Sequence, residues 1–283
     1  MSAGSEDKGH EWSAAFTSND GMEVYENVLV GPVFLPWAEY LLDALRVAPG
    51  ERLLDVATGP GTVARLASAR LGPTGQVLAT DLSPAMLAIA EAKGPVADGS
   101  WVEYRISPAA PLDAPGNAFD VACCQQGLQF FPDRSGALAE MRRALRPGGR
   151  LGLAVWASIE TCPPFAALKD AIGEVMGAEA AERYAGGPWG LHGPGTFEDM
   201  VSAAGFAEVS VEDVTRPVRF EAGAAELYRS FAASGLAAEI GALPSDKRAA
   251  LASAVVDKLQ NLTDRSGAVT SHLTSQIVLA VAR

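Results

Sequence analysis

The chain of 283 residues predicts an α/β fold around a mainly parallel sheet, and two observations carry that prediction. Between Glu51 and Trp156, short apolar runs alternate with stretches of helical period. The runs are separated by breaks rich in glycine, proline and aspartate. Such alternation implies parallel strands covered by helices on both faces, joined by right-handed crossovers.

The elements follow in order. ERLLDVAT reads as a buried strand, and Gly59-Pro60-Gly61 turns it into a helix with Val63, Leu66, Ala67 and Leu71 near one face. GPTGQ stops that helix, and QVLATD forms a second strand ending in Asp81. Ser83 before Pro84 is an N-cap followed by proline at the first helical position, with Met86, Leu87 and Ile89 directed inward. WVEYRI and FDVACC are the third and fourth strands. A helix spans Asp133 to Leu145, RPGGR stops it, and LGLAVW is the fifth strand. Beyond this block come a helix around Phe165–Met176, a helix over Thr196–Ala204 and the strand FAEVSVEDV. Residues 222–265 read as entirely helical, and VTSHLTSQIVLAVAR returns as a closing strand.

Composition narrows the function classes. Hydrophobic residues are 48% and charged residues 20%, the balance of a globular protein. A net charge of −12 repels phosphate and disfavours nucleic acid or an anionic membrane as principal partner. No run reaches the roughly 18 apolar residues of a membrane helix, and the polar start MSAGSEDKGHEW has no apolar signal region. Cys123, Cys124 and Cys162 form no CxxC pair, so buried thiols in a cytoplasmic setting are expected, with no metal site.

Ligands in parallel sheets bind beyond the carboxyl ends of the strands, so the loops after Asp55, Asp81, Ile106 and Cys124 are the informative ones. Asp55-Val56-Ala57-Thr58-Gly59-Pro60-Gly61 is the strongest signal. Gly59 and Gly61 allow close backbone approach and a tight turn into a helix N-terminus. GPGTVA also fits the dinucleotide pattern G-x-G-x-x-A, and Asp81 stands near the spacing of a ribose-binding acid. Asp55 separates the two readings, because a carboxylate beside a diphosphate is unfavourable, whereas a ligand with an ammonium group suits it.

LLDVATGPGTVARLA, VLATDLSPAMLAIA, FDVACCQQGLQFFPD and ALRPGGRLGLAVW, in that order, resemble the successive motifs of class I S-adenosylmethionine-dependent methyltransferases. The branch most resembled contains the ubiquinone and menaquinone biosynthesis C-methyltransferases. The resemblance implies a Rossmann-like seven-stranded sheet, its last strand antiparallel, with helical cap elements. The resemblance covers residues 37–156 and, more loosely, Thr196–Phe206 and the final strand. The change of character along the chain sets an N-terminal helical cap at 1–48, the cofactor-binding core at 49–156 and a cap insertion at 157–195. A core helix and strand at 196–221, a helical cap insertion at 222–265 and the closing strand at 266–283 complete it.

Carried over residue by residue, the resemblance puts Asp55, Ala57, Gly59 and Gly61 around the methionine part of the cofactor, S-adenosylmethionine. It gives Asp81 the ribose, Leu82 the adenine face and Gln125 the methionine backbone. Relatives commonly write glycine–aspartate–alanine after the third strand, and that aspartate bonds the adenine amine. Here Ser107-Pro108-Ala109 stands there, leaving Ala109 N–H for the ring and three consequences open: weaker binding, compensation by Ser107, or a relaxed need for the cofactor.

The cofactor carries the hard chemistry, so a base is needed only for a weakly acidic nucleophile. His192 is the candidate base and Tyr25 a second, whereas His272 in the closing strand reads as structural and His10 as part of a tail. Phe16, Phe34, Trp37, Phe130 and Trp189 are candidates for an apolar acceptor pocket or for plain core. The expected activity is O- or C-methylation of a small, largely apolar metabolite, by a chain whose candidate assembly is a homodimer. The alternatives are a cofactor-binding catalyst of a non-methyl reaction such as cyclisation, a nicotinamide-dependent oxidoreductase, and a non-enzymatic ligand-binding protein.

Overall fold

The structure is a computed structural model that describes residues 19–193 and 195–283. The sequence readings of His10 and Phe16 lie outside the described residues. The chain divides into two compact units. One comprises Met1–Val33, Trp156–Leu191 and Val214–Ser275; the other comprises Phe34–Val155, His192–Asp213 and Gln276–Arg283.

Seven strands form one sheet in the order β3-β2-β1-β4-β5-β7-β6, with the last strand antiparallel. They are β1 Arg52–Val56, β2 Gln76–Asp81, β3 Trp101–Ile106, β4 Phe119–Gln125, β5 Leu145–Trp156, β6 Phe206–Phe220 and β7 Val269–Ala282. β1 pairs in parallel with β2 and β4, so Asp55 lies between Ala79 and Cys123. Strands buried on both faces cannot alternate, which is why Leu53, Leu54, Val121, Ala122 and Cys123 are all fully buried. All three cysteines are free and buried, and burial pushes the Cys124 thiol up to about 12.

Helices pack on these strands through small or capped positions. The helix Thr62–Leu71 buries Val63, Ala64, Ala67, Ser68 and Leu71, while Leu66 is only half-buried. Ser68 is tolerated inside because its hydroxyl donates to the Ser100 carbonyl at 2.7 Å. Ser83 caps the helix Pro84–Ala92 by accepting the Met86 N–H at 3.3 Å, and Ala90 is buried where Ile89 is not. Asp133 caps Arg134–Ala144, accepting the Gly136 N–H at 2.7 Å.

Two segments differ from the sequence expectation. RPGGR does not separate helix from strand: β5 starts at Leu145, and its pairing with β4 shifts register between Phe119 and Val121. Between the pairs Phe119↔Leu145 and Val121↔Arg150, β5 carries three residues more than β4, and Gly148, at φ 77°, gives that excursion a left-handed step. Residues 222–265 are several helical pieces, Ala224–Arg229, Ser230–Ala233, Ala237–Ala242, Ser245–Leu259 and Gln260–Leu262, followed by a bridge from Thr263 to Val269. Ser234-Gly235 and Pro244 fall at the breaks.

In the first unit, Pro163–Met176 packs against Ser245–Leu259, with Lys258 Nζ 3.0 Å from Glu174 Oε2. An aromatic cluster of Phe165, Tyr184, Trp189, Phe220 and Phe231 fills its interior. Trp37 and Phe34 belong to the second unit, where Trp37 is fully buried core.

Candidate cofactor site

The site is built where β1, β2 and β4 end. Asp55, one residue before the end of β1, is buried, and its carboxyl turns inward. Oδ2 accepts the Thr58 hydroxyl at 2.6 Å, and Oδ1 lies 3.7 Å from Cys123 Sγ. The backbone N–H of Ala64 also bonds this carboxyl. That N–H is an orphan donor of the first turn of Thr62–Leu71, whose N-cap, Gly61, has no side chain to serve it. Asp55 therefore caps the helix from the neighbouring strand. Burial raises its pKa from 3.8 to about 7, against the lowering effect of these donors and with a smaller push from the Asp81 charge.

The loop above it is shaped by left-handed residues: Ala57 at φ 59°, Gly59 at 55° and Gly61 at 81°. A Cβ at Gly61 would stand 2.9 Å from Tyr104 Oη, so glycine there is demanded by space as well as by φ. A Cβ at Gly59 would meet nothing within 4 Å, so that face of the loop is open.

Asp81, at the end of β2, holds the loop from the side. Its Oδ2 accepts the Gly59 N–H and its Oδ1 the Ser83 N–H, both at 2.8 Å. Burial raises its pKa, opposed by the N–H groups of Ser83, Gly59 and Leu82. Next to it two apolar side chains face solvent, Leu82 at 67% exposure and Ile106 at 58%. Ile106 is the register partner of Asp81 across β2 and β3. Ser107 is buried, and its hydroxyl donates to the Pro108 carbonyl at 2.8 Å and accepts the Asp113 N–H at 2.9 Å. It is committed to its own loop, while Pro108 is exposed and Ala109 half-buried.

Gln125 ends β4 half-buried; its Nε2 donates to the Phe34 carbonyl at 2.8 Å, and its Oε1 is buried with no partner among the described residues. The structure thus gathers Asp55, Ala57, Gly59, Gly61, Asp81 and Leu82 around two adjoining strand ends, with Gln125 on the strand beside them. His192 is exposed, before the helix Thr196–Ala203, and no hydrogen bond or ion pair among the described residues links it to these loops. Tyr25 starts the π-helix Tyr25–Phe34 and belongs to the other unit. Sequence reasoning gave Thr58 and Cys123 no part in holding Asp55, and it marked Ile106 as the end of the third strand without giving its side chain a role.

The sequence is similar to those of known proteins. Residues 54–153 match the methyltransferase domain family. Over 80% of its length the chain is 30% identical to nocamycin O-methyltransferase of Saccharothrix syringae, and it spans 84% of that protein. The chain belongs to the class I S-adenosylmethionine-dependent methyltransferases.

This methyltransferase resembles the branch of the ubiquinone/menaquinone biosynthesis C-methyltransferase UbiE. It is 30% identical to the Saccharophagus degradans protein, over 68% of this chain and 82% of that one. Among solved structures, Haemonchus contortus phosphoethanolamine N-methyltransferase 2 in complex with S-adenosyl-L-methionine gives a TM-score of 0.58 at 21% identity. That match covers 93% of this chain and 57% of the other. The [4+2]-cyclase SpnF gives 0.54 at 22%, covering 87% of this chain and 80% of the cyclase, a likeness of fold alone.

The cofactor of the methyltransferase is S-adenosylmethionine. The residues present fit it on their own chemistry: an open loop face at Gly59, an unpartnered acceptor at Gln125 for an ammonium, and exposed apolar Leu82 and Ile106 for a flat ring. No helix among the described residues is long and apolar enough to cross a membrane.

Proposed function

We propose that this methyltransferase acts on a small, largely apolar metabolite, at oxygen or carbon, in the cytoplasm. The observation that carries the reading is the segment from the end of β4, Gln125-Gln126-Gly127-Leu128-Gln129-Phe130, which holds amide and apolar side chains and no charge. Relatives named for nocamycin and for quinone biosynthesis support the same class of acceptor. The net charge of −12 argues against nucleic acid as the acceptor, and three free, buried cysteines suit a reducing compartment. A homodimer is the assembly to test.

In this reading Ala57, Gly59 and Gly61 hold the methionine part of the cofactor, with Asp55 fixing the loop from beneath. Asp81 accepts the ribose hydroxyls through lone pairs that its backbone N–H donors leave free. Leu82 covers the adenine, Ala109 N–H meets its ring, and Gln125 Oε1 accepts from the ammonium. When bound, the cofactor supplies a sulfonium methyl, already a strong electrophile. The chain then has to align the acceptor with that methyl and exclude water. His192, or Tyr25, takes the proton of an acceptor too weakly acidic to lose it unaided. Segments 1–48, 157–195 and 222–265 supply acceptor specificity, and 49–156, 196–221 and 266–283 form the cofactor core.

The test is transfer of a trideuteromethyl group from labelled cofactor into fractionated metabolite extract, read by mass spectrometry. Label in organic-extractable small molecules is expected. Label confined to protein or nucleic acid overturns the proposal.

A further inference from the structure

The uncharged segment after β4 is fixed from several sides. The Gln126 N–H donates to the Ala154 carbonyl at 2.7 Å, continuing the pairing with β5. Gly127 presses on the cofactor loop, where a Cβ would stand 2.7 Å from Ala57 Cβ and 2.8 Å from Cys124 Sγ. The Arg134 guanidinium donates to the carbonyls of Leu128 and Gln129 at 3.3 and 2.8 Å. Gln126 is held at φ 56°, a conformation a non-glycine residue keeps only where its surroundings impose it.

Among the described residues this clamped segment retains two unused acceptors. Gln129 Nε2 donates to Gln126 Oε1 at 3.1 Å, as Gln125 Nε2 does to the Phe34 carbonyl, yet Oε1 of both Gln125 and Gln129 is buried without a partner among those residues. Gln129 is 5% exposed. A buried amide oxygen with no donor is costly, and a rigid turn cannot relax to supply one. Donors that arrive with ligands resolve this. The cofactor's ammonium serves Gln125, which leaves Gln129, four residues along, unexplained.

We infer that Gln129 Oε1 accepts a hydrogen bond from the methyl acceptor, and that the acceptor carries a neutral O–H group: an enol, a phenol or an alcohol. The inference rests on the methyl-transfer reading above. An amide oxygen is a neutral acceptor, and the segment holds no carboxylate to draw an ammonium. It offers no free cation to a carboxylate or phosphate either, because Arg134 is committed to the two carbonyls. Gln129 is thereby the residue that selects for the hydroxyl.

The experiment uses the full chain loaded with S-adenosylhomocysteine. It is titrated calorimetrically with 4-propylphenol, 1-naphthol and 4-hydroxybiphenyl, each beside its methyl ether. At least one hydroxyl probe should bind about tenfold or more tightly than its ether, since a site built around a donor rejects the analogue that lacks it. Gln129→Met should reduce that preference to about twofold or less, and Gln129→Glu, which keeps the oxygen, should retain it. Both variants should bind S-adenosylhomocysteine as the wild type does, which also shows that they fold. A preference unchanged in Gln129→Met overturns the inference, as does failure of every probe on the loaded wild type. If the wild type does not bind S-adenosylhomocysteine, the cofactor assignment itself falls, and this inference with it.

Discussion

Asp55→Asn should stabilise the cofactor-free protein at alkaline pH and not at acid pH. The wild-type carboxyl is buried against Thr58, Cys123 and Ala64, with a pKa of about 7 against 3.8 for an ordinary aspartate. A folded-state pKa above the unfolded one means that the unfolded chain loses its proton first as pH rises. Stability tied to this group is therefore complete below pH 3.8 and is lost progressively up to about pH 7. Three units or so at 1.36 kcal/mol each make the full loss about 4 kcal/mol. Asparagine never ionises, but it turns an N–H₂ toward donors that a carboxylate accepted, at a cost of about 1 kcal/mol. The variant should thus be the more stable protein at pH 8, by roughly 3 kcal/mol, with the order reversed near pH 4. Because the pI is near 4.7, acid solutions invite precipitation, and the practical window is pH 6–8.5. Across it the gap should widen by about 1.4 kcal/mol, one pH unit of linkage below the pKa. Urea unfolding at several pH values measures this directly. A gap that stays constant across the window would refute the argument that Asp55 is a buried acid held near its titration point.

The other predictions concern the neighbouring loops. Asp81→Ala should weaken S-adenosylhomocysteine binding by about 1.5–3 kcal/mol in calorimetry, the scale of hydrogen bonds to a charged group, and unchanged affinity would return Asp81 to a purely structural role. Pro108→Asp should tighten binding by about 0.5–1.5 kcal/mol relative to Pro108→Ala, which controls for the lost ring; an aspartate no better than alanine means that this loop reads adenine differently. Gly127→Ala should destabilise the protein by about 1–3 kcal/mol in chemical denaturation. The cost should shrink in an Ala57→Gly background, because Ala57 Cβ, at 2.7 Å, is the nearest of the atoms the new methyl meets. An identical cost in both backgrounds would remove that contact from the explanation.

Most of the sheet was legible because buried parallel strands and capped helices leave local marks. Ser83-Pro84 and Asp133 announce their helices, and both caps are present as hydrogen bonds. The antiparallel closing strand came from family resemblance, since VTSHLTSQIVLAVAR alone does not state a direction. Elsewhere periodicity failed for physical reasons. Ser68 looks polar yet is fully buried, because one carbonyl within reach satisfies its hydroxyl. RPGGR contains every breaker signal and still lies inside β5, because the pairing with β4 resumes at Arg150 after three extra residues that include the positive φ of Gly148. Hydrogen bonds to partners distant in sequence decide such cases, and no local window contains them.

The same limit applies to the two acids of the site, which the sequence presents as equivalent strand-end carboxylates. Register separates them. Asp55 pairs with Ala79, so Asp81 stands two residues further along the sheet on the same face, a distance of about 6–7 Å at the rise of a parallel strand. At the lower position the side chain lies under the loop, level with Cys123 and the first turn of the helix, and it meets only donors of its own chain. At the upper position it reaches the rim, where it holds the loop through Gly59 N–H and keeps part of its surface exposed. Desolvation raises both pKa values, and the deeper carboxyl also feels the charge of the upper one. In the proposed reading the acid at the rim accepts the ribose hydroxyls, whereas the acid below is fully buried. It follows that losing Asp81 should be felt first in cofactor affinity, and losing Asp55 first in the pH dependence of the empty protein.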